Sequence, residues 1–124
     1  MRPDAELRLP AEAAYASVLR STAVSLAARL AFTVDDLEDL RMAVSEAAGL
    51  VLEQADPAGS LAASFVLEED RVTVRVSTTA ENPSEVPRDD FAWQLLAALT
   101  VDATCETTAD AVAVTFTIVS LAAA

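Results

Sequence analysis

Glu46 sits in the middle of a strongly apolar run, "LRMAVSEAAGLVLEQA" at residues 40–55. Carboxylates are the residue type of general acid–base chemistry, so the setting of this one matters. On a helix turning about 100° per residue, Val44, Ala47, Ala48, Val51 and Ala55 form one buried stripe, and Glu46 faces away from it. Its own row is Asp39, Met42, Glu46, Leu50 and Glu53, half charged and half apolar. That is neither a clean solvent face nor a clean core face. Elsewhere the means for chemistry are sparse. The chain has no His, which excludes a Ser/His/Asp triad, a Cys/His pair and a histidine metal site. With only Gly49 and Gly59, it has no glycine-rich phosphate loop. The acidic "LEED" at residues 67–70 lacks the spacing of a calcium loop and reads as a solvated turn between strands. Cys105 is alone and cannot form an internal disulfide; it reads as a small buried residue, with a redox switch as the lesser alternative.

Charge narrows the partners. All eight basic residues are Arg, against 20 Asp and Glu, for a formal net charge of −12. Such a field opposes a phosphate backbone, so nucleic acid is rejected as the primary ligand. It favours a basic protein partner, although acidity is also an ordinary route to solubility. Hydrophobic residues make up 53% of the chain, yet no stretch approaches the roughly 20 uninterrupted apolar residues of a spanning helix. No membrane association is expected. The N-terminal "MRPDAELRLP" carries acidic residues where a signal peptide would be apolar, which predicts a cytoplasmic location. At 124 residues, the length fits one domain spanning 1–124.

The elements that must position these residues follow from periodicity and breakers. "ELRLP" alternates and stops at Pro10, a short first strand. Helical spacing of Tyr15, Val18, Leu19, Thr22, Leu26 and Leu30 predicts a first helix over 11–30, with Arg20 and Arg29 off the stripe. Thr33 followed by Asp36 marks the cap of a second helix over 34–54, which "ADPAGS" ends. "SLAASFVLEED" and "RVTVRVSTT" read as a hairpin with Val72, Val74 and Val76 on one face. "AENPSEVPRDD" is a loop. A third helix begins at Asp89 or Asp90 and turns Phe91, Leu95, Leu96 and Leu99 inward. Phe91 and Trp93 at its start are read as core, with a partner patch as the alternative. "DATCETTADAVAVTFTIVSL" supplies two last strands joined near Ala109 and Asp110, with Val112, Val114, Phe116 and Ile118 on one face. The order predicts an α+β fold: a two-layer α/β sandwich, its mostly antiparallel sheet covered by helices on one face.

At "LEDLRMAVSEA" the chain resembles the anti-sigma factor serine kinases of the RsbW and SpoIIAB type, within the GHKL (histidine-kinase-like) ATPase fold. The resemblance covers the first strand, "AEAAYASVLRSTAVSLAARLAF", "TVDDLEDLRMAVSEA" and, more loosely, the sheet to the C-terminus. "DDFAWQLLAALTVDATCE" is similar to the shortened actinobacterial branch that includes UsfX, whose members depart from the standard ATP motifs. The resemblance implies a glutamate that acts as base toward a substrate hydroxyl and, four residues later, an asparagine whose oxygen holds magnesium. Glu46 matches the glutamate. Leu50 stands where the asparagine would, and an alkyl group cannot ligate a hard cation. "VSTTAENPSEVP" lacks the aspartate and glycines that would read adenine, and "PRDDFAWQLL" lacks a glycine-rich lid.

Two readings of Glu46 remain: the remnant of a nucleotide site, or an ordinary, partly solvated helix glutamate. Neither makes it catalytic, since a base without metal, adenine anchor or phosphate cradle positions no phosphoryl group. No catalytic, cofactor-binding or metal-binding residue is therefore assigned. The expected function is that of an anti-sigma factor, which sequesters an alternative sigma factor by direct contact. The resemblance further implies a homodimer and an antagonist of the STAS type. Arg20 aligns with a basic position that contacts sigma factor and antagonist in the family; its bland alternative is a surface Arg paired with Glu12. The runner-up is a divergent protein serine kinase, for which ATP and magnesium would be cofactors. A STAS-type protein is disfavoured, because the chain lacks the serine loop with neighbouring glycine and places two long helices early.

Overall fold

The computed structural model describes residues 2–121. Alternating "AELRLP" forms β1 (Ala5–Pro10), and a 3-10 turn at Ala13–Tyr15 leads into α1 (Ala16–Ala27) and then α2 (Val34–Leu52). β2 (Ser60–Glu68) and β3 (Arg71–Thr79) form the hairpin; α3 (Phe91–Leu99), β4 (Val101–Thr107) and β5 (Ala111–Val119) complete the chain. The sheet order is β1-β2-β3-β5-β4, and every pairing is antiparallel.

The period of two in each strand decides which face is buried. Val72, Val74 and Val76 of β3 and Val112, Val114, Phe116 and Ile118 of β5 lie in the core, as their alternation predicts. Register lines Phe65, Val74 and Phe116 up across the three central strands. On the other face Thr73 bonds Thr117 through their hydroxyls at 3.1 Å, and Arg75 reaches Glu106 at 3.7 Å. α1 packs on α2 and β2, α2 on β3 and β5, and α3 on α2 and β4. The expected two-layer sandwich is present.

α2 begins where Thr33 predicts it. The Asp36 amide donates to the Thr33 hydroxyl at 3.1 Å, and the Thr33 amide returns the bond to Asp36 Oδ2 at 2.9 Å. Two orphan donors are thereby satisfied. Asp36 itself is only 2% exposed, and it also accepts from the Ser120 hydroxyl at 3.1 Å and the Leu121 amide at 3.4 Å. Burial raises its pKa, but the bonds from Thr33, Leu121 and Ser120 outweigh that and hold it below the usual carboxylate value.

Four sequence expectations need correction. The first helix is shorter than 11–30, and its buried residues are Leu19, Ala23 and Ala27, while Val18 and Tyr15 stay exposed. α2 presents Ala43, Ala47 and Ala48 among its buried residues, and small residues let neighbouring backbones approach closely, so Ala23 and Ala27 of α1 join Leu19 in the core while Tyr15 and Val18 stay outside. α2 stops at Leu52, leaving Ala55 half-buried beyond its end. In α3 the inward residues are Trp93 and Leu96, whereas Phe91 is 79% exposed. Asp90 fixes the phase by accepting the Trp93 amide at 3.1 Å. Phe91 then lies about 160° around the helix from Trp93.

Candidate functional site

The row of Glu46 resolves into two environments. Glu46 is half-buried, and none of the ion pairs among the described residues includes it. One turn on, Leu50 is 2% exposed and belongs to the core cluster that also contains Val86, Trp93 and Leu96. A further turn on, Gln54 meets the loop that follows β3: its Nε2 donates to the Ser84 carbonyl at 2.9 Å, and its Oε1 accepts the Ser84 amide at 2.9 Å. A side-chain amide thus pairs with a backbone residue much as a neighbouring strand would.

Other bonds hold the same loop. The Glu81 amide donates to Asp56 Oδ1 at 2.9 Å, and the Ala80 amide to the Asp110 carbonyl at 2.9 Å. Val86 is 8% exposed, its side chain in the core. Arg88 lies over the Trp93 ring, 4.9 Å from its centroid, close enough for a cation–π contact. Residues 80–90 therefore form a strap, fastened to the end of α2 by Gln54 and Asp56 and to the core by Val86. The sequence marked this stretch as a loop, but Gln54 and Ser84, thirty residues apart, carried no local signal of pairing.

Mg-ATP fits these residues poorly. The position one turn after Glu46 offers it a buried alkyl group in place of an oxygen. No glycine among the described residues has a positive φ, so no glycine nest of backbone amides faces outward. Gly49 lies within α2, and a Cβ at Gly59 would collide with the Thr79 hydroxyl, so that glycine serves close packing of the α2–β2 link. Among the described residues no three His, Cys, Asp or Glu side chains cluster as a metal site.

Arg20 stands elsewhere, on the outer side of α1. It is half-buried and reaches Ser45 Oγ of α2 at 3.5 Å, so its partner is across the helix pair and not Glu12. Ser45 in turn donates to the Arg41 carbonyl at 3.0 Å. Arg20 and Arg41 line one shallow groove of about 370 Å³ with Ser17, Ser21, Val24 and Ser25. Arg41 also pairs with Glu38 at 2.9 Å. The sequence pointed to Arg20 alone; Arg41 lies inside "LEDLRMAVSEA", and only helix packing brings the two cations into the same groove.

The remaining candidates are structural. In the "LEED" turn Arg71 pairs with Asp70 at 3.2 Å and Glu68 at 3.9 Å, and the bond from Arg71 keeps the Asp70 carboxyl below its ordinary value. Cys105 is buried on β4. Of the two aromatic residues at the start of α3, Trp93 is core and Phe91 is not.

No family model matches the chain. Individual relatives do. It is 36% identical over 74 residues to a serine-protein kinase RsbW of Bacillus cereus, covering 58% of this chain and 46% of that protein. A serine-protein kinase RsbW of Halalkalibacterium halodurans is 37% identical over 78 residues, or 62% of this chain and 48% of that one. The chain thus spans about half the length of the relatives it matches. A crystal structure of the RsbU and RsbW domains of a Mycobacterium tuberculosis protein superposes with a TM-score of 0.66 at 20% identity, over 93% of this chain and 32% of the other. The resemblance to RsbW, read from "LEDLRMAVSEA", is borne out, and so is the fold.

Proposed function

We infer that this RsbW-like domain is an anti-sigma factor that captures an alternative sigma factor by surface contact, without the help of bound nucleotide. The observation that carries the second half is Leu50. Where the resemblance calls for a magnesium-holding oxygen, the side chain is 2% exposed and part of the hydrophobic core cluster. Phosphoryl transfer is mostly positioning and charge stabilisation, and neither is supplied there. Glu46 is on this reading the remnant of the base.

Capture rests on charge and on the α1–α2 groove. A net charge of −12 speeds encounter with a basic surface and complements it once bound. Within that acidic field the groove holding Arg20 and Arg41 is a local exception, suited to an acidic side chain of the sigma factor or of a STAS-type antagonist that competes for it. Release then depends on partner concentration. We place the domain in the cytoplasm as a homodimer; no helix among the described residues is long and apolar enough to cross a membrane.

Two measurements test this. Purified protein is mixed with candidate alternative sigma factors and run on a sizing column with and without millimolar Mg-ATP, and its thermal unfolding is followed under the same conditions. The expected result is a complex whose yield is independent of nucleotide, weakened by Arg20→Ala, and an unfolding midpoint that Mg-ATP leaves in place. Ligand at 100 times its dissociation constant would add about 2.7 kcal/mol, a shift of several degrees. Such a shift, with transfer of phosphate to a STAS-type serine, would replace this reading with that of a divergent kinase.

A further inference from the structure

α3 is a surface helix without a single charged residue: "FAWQLLAAL". Its inner side holds Trp93 and Leu96. Phe91, Gln94, Ala97 and Ala98 are exposed and Leu95 is half-buried, which leaves an outer face about 13 Å long with one polar side chain. Phe91 at 79% and Val101 at 47% are the large apolar groups at its two ends. Beyond the C-terminal end, Ala98, Leu99, Val101 and Leu121 line one side of a groove of about 310 Å³ whose polar lining includes Asp39, Thr100 and Thr117. Scattered exposed apolar residues need no account, but a contiguous apolar face on a chain this charged does.

The rim is acidic. Glu85 and Asp89 are exposed beside the N-terminal end, with the Asp90 carboxylate at the cap, and Asp39 and Asp102 flank the other end. Arg88, just before the cap, is stacked on Trp93. We propose that the outer face of α3 is a docking surface for a basic amphipathic helix of a partner protein. An apolar stripe fits the ridge from Phe91 to Val101, and flanking Lys or Arg meets the acidic rim, which supplies both affinity and register. A second copy of this chain fits less well, since two acidic rims would face each other across the contact and both chains carry the same net charge of −12.

The surface stands apart from the groove of Arg20, so it can fail while sigma-factor capture holds, and the reverse. The probe is an 18-residue peptide with Leu along one helical face and Lys on the other, titrated into isotope-labelled full chain and followed by amide chemical shifts. A peptide of the same composition in scrambled order is the control. Expected are saturating shifts confined to α3 and the start of β4, affinity that falls with salt, and at least tenfold weaker binding for the scrambled peptide. Phe91→Glu is the decisive variant. It adds negative charge, so pure electrostatic attraction to the Lys residues would hold or rise, whereas apolar docking falls at least tenfold; Phe91→Ala should fall in the same direction. Shifts spread over the whole acidic surface, equal binding of the scrambled peptide, or indifference to both variants would overturn the proposal. So would concentration-dependent broadening at Phe91 without peptide, which would make the face a contact between copies of this chain.

Discussion

At its N-terminal end α2 is fixed by a carboxylate, and at its C-terminal end by a hydrocarbon and an amide. Asp36 is buried yet gathers donors from Thr33, Ser120 and Leu121, and the Ser120 hydroxyl also bonds the Ala31 carbonyl. At the other end Leu50 is buried without polar partners, and Gln54 turns outward to hold the Ser84 backbone. The N-terminal end thus carries a buried oxygen and the C-terminal end a buried alkyl group. The comparison teaches that a carboxylate can stay buried where donors surround it, whereas a buried position without such donors is filled by hydrocarbon.

The sharpest way to break this comparison is Leu50→Asn, which returns an oxygen to the C-terminal end. In this hydrophobic core the cost combines lost apolar burial and a buried amide, about 3–5 kcal/mol. Chemical denaturation should show that loss, and Mg-ATP should not recover it. Recovery by nucleotide would mean that the site is intact apart from one residue.

Next in size is Asp36→Ala, which leaves the Thr33 and Leu121 amides without this acceptor and takes one of its bonds from Ser120. A destabilisation of about 2–3 kcal/mol follows from the lost cap and the unpaired buried groups. Because the folded pKa of Asp36 is depressed, its contribution is fully present above the unfolded value near 3.9 and is lost as pH falls through the folded value. Wild-type stability should therefore drop below about pH 4, and Asp36→Asn should flatten that part of the profile. A variant melting profile parallel to wild type down to pH 2 would remove Asp36 from the account.

Gln54→Ala loosens the strap with less global effect, about 1 kcal/mol for two half-exposed hydrogen bonds. Amide exchange at Ser84 should accelerate at least tenfold while the core strands stay protected. Smallest is Gly49→Ala. A Cβ there meets nothing within 4 Å, so the helix gains about 0.5–1 kcal/mol in unfolding experiments, and exchange near the C-terminal end of α2 slows.

Local signals were legible where neighbours in sequence are also partners in space. Thr33 and Asp36 announce their reciprocal cap three residues apart, and the alternating valines of β3 show their buried face directly. Phe91 shows the limit. Its hydrophobicity suggested an inward ring, but the bond from the Trp93 amide to Asp90 and the packing of Trp93 fix the rotation of α3 and leave Phe91 outside. In the same way, Val18 and Tyr15 looked like core by spacing, until the close contact of α1 with α2 gave that place to Ala23 and Ala27.

By itself the sequence determined the class of fold, the order of its elements and the residue types at hand for chemistry, because composition and short-range periodicity carry those directly. Only the tertiary structure decided that Leu50 joins the core, that Arg20 and Arg41 share a groove, and that Gln54 holds residues 80–90 down. Each of those depends on groups 21 to 46 residues apart along the chain. Their meeting is set by helix rotation and packing distance, which no local spacing specifies.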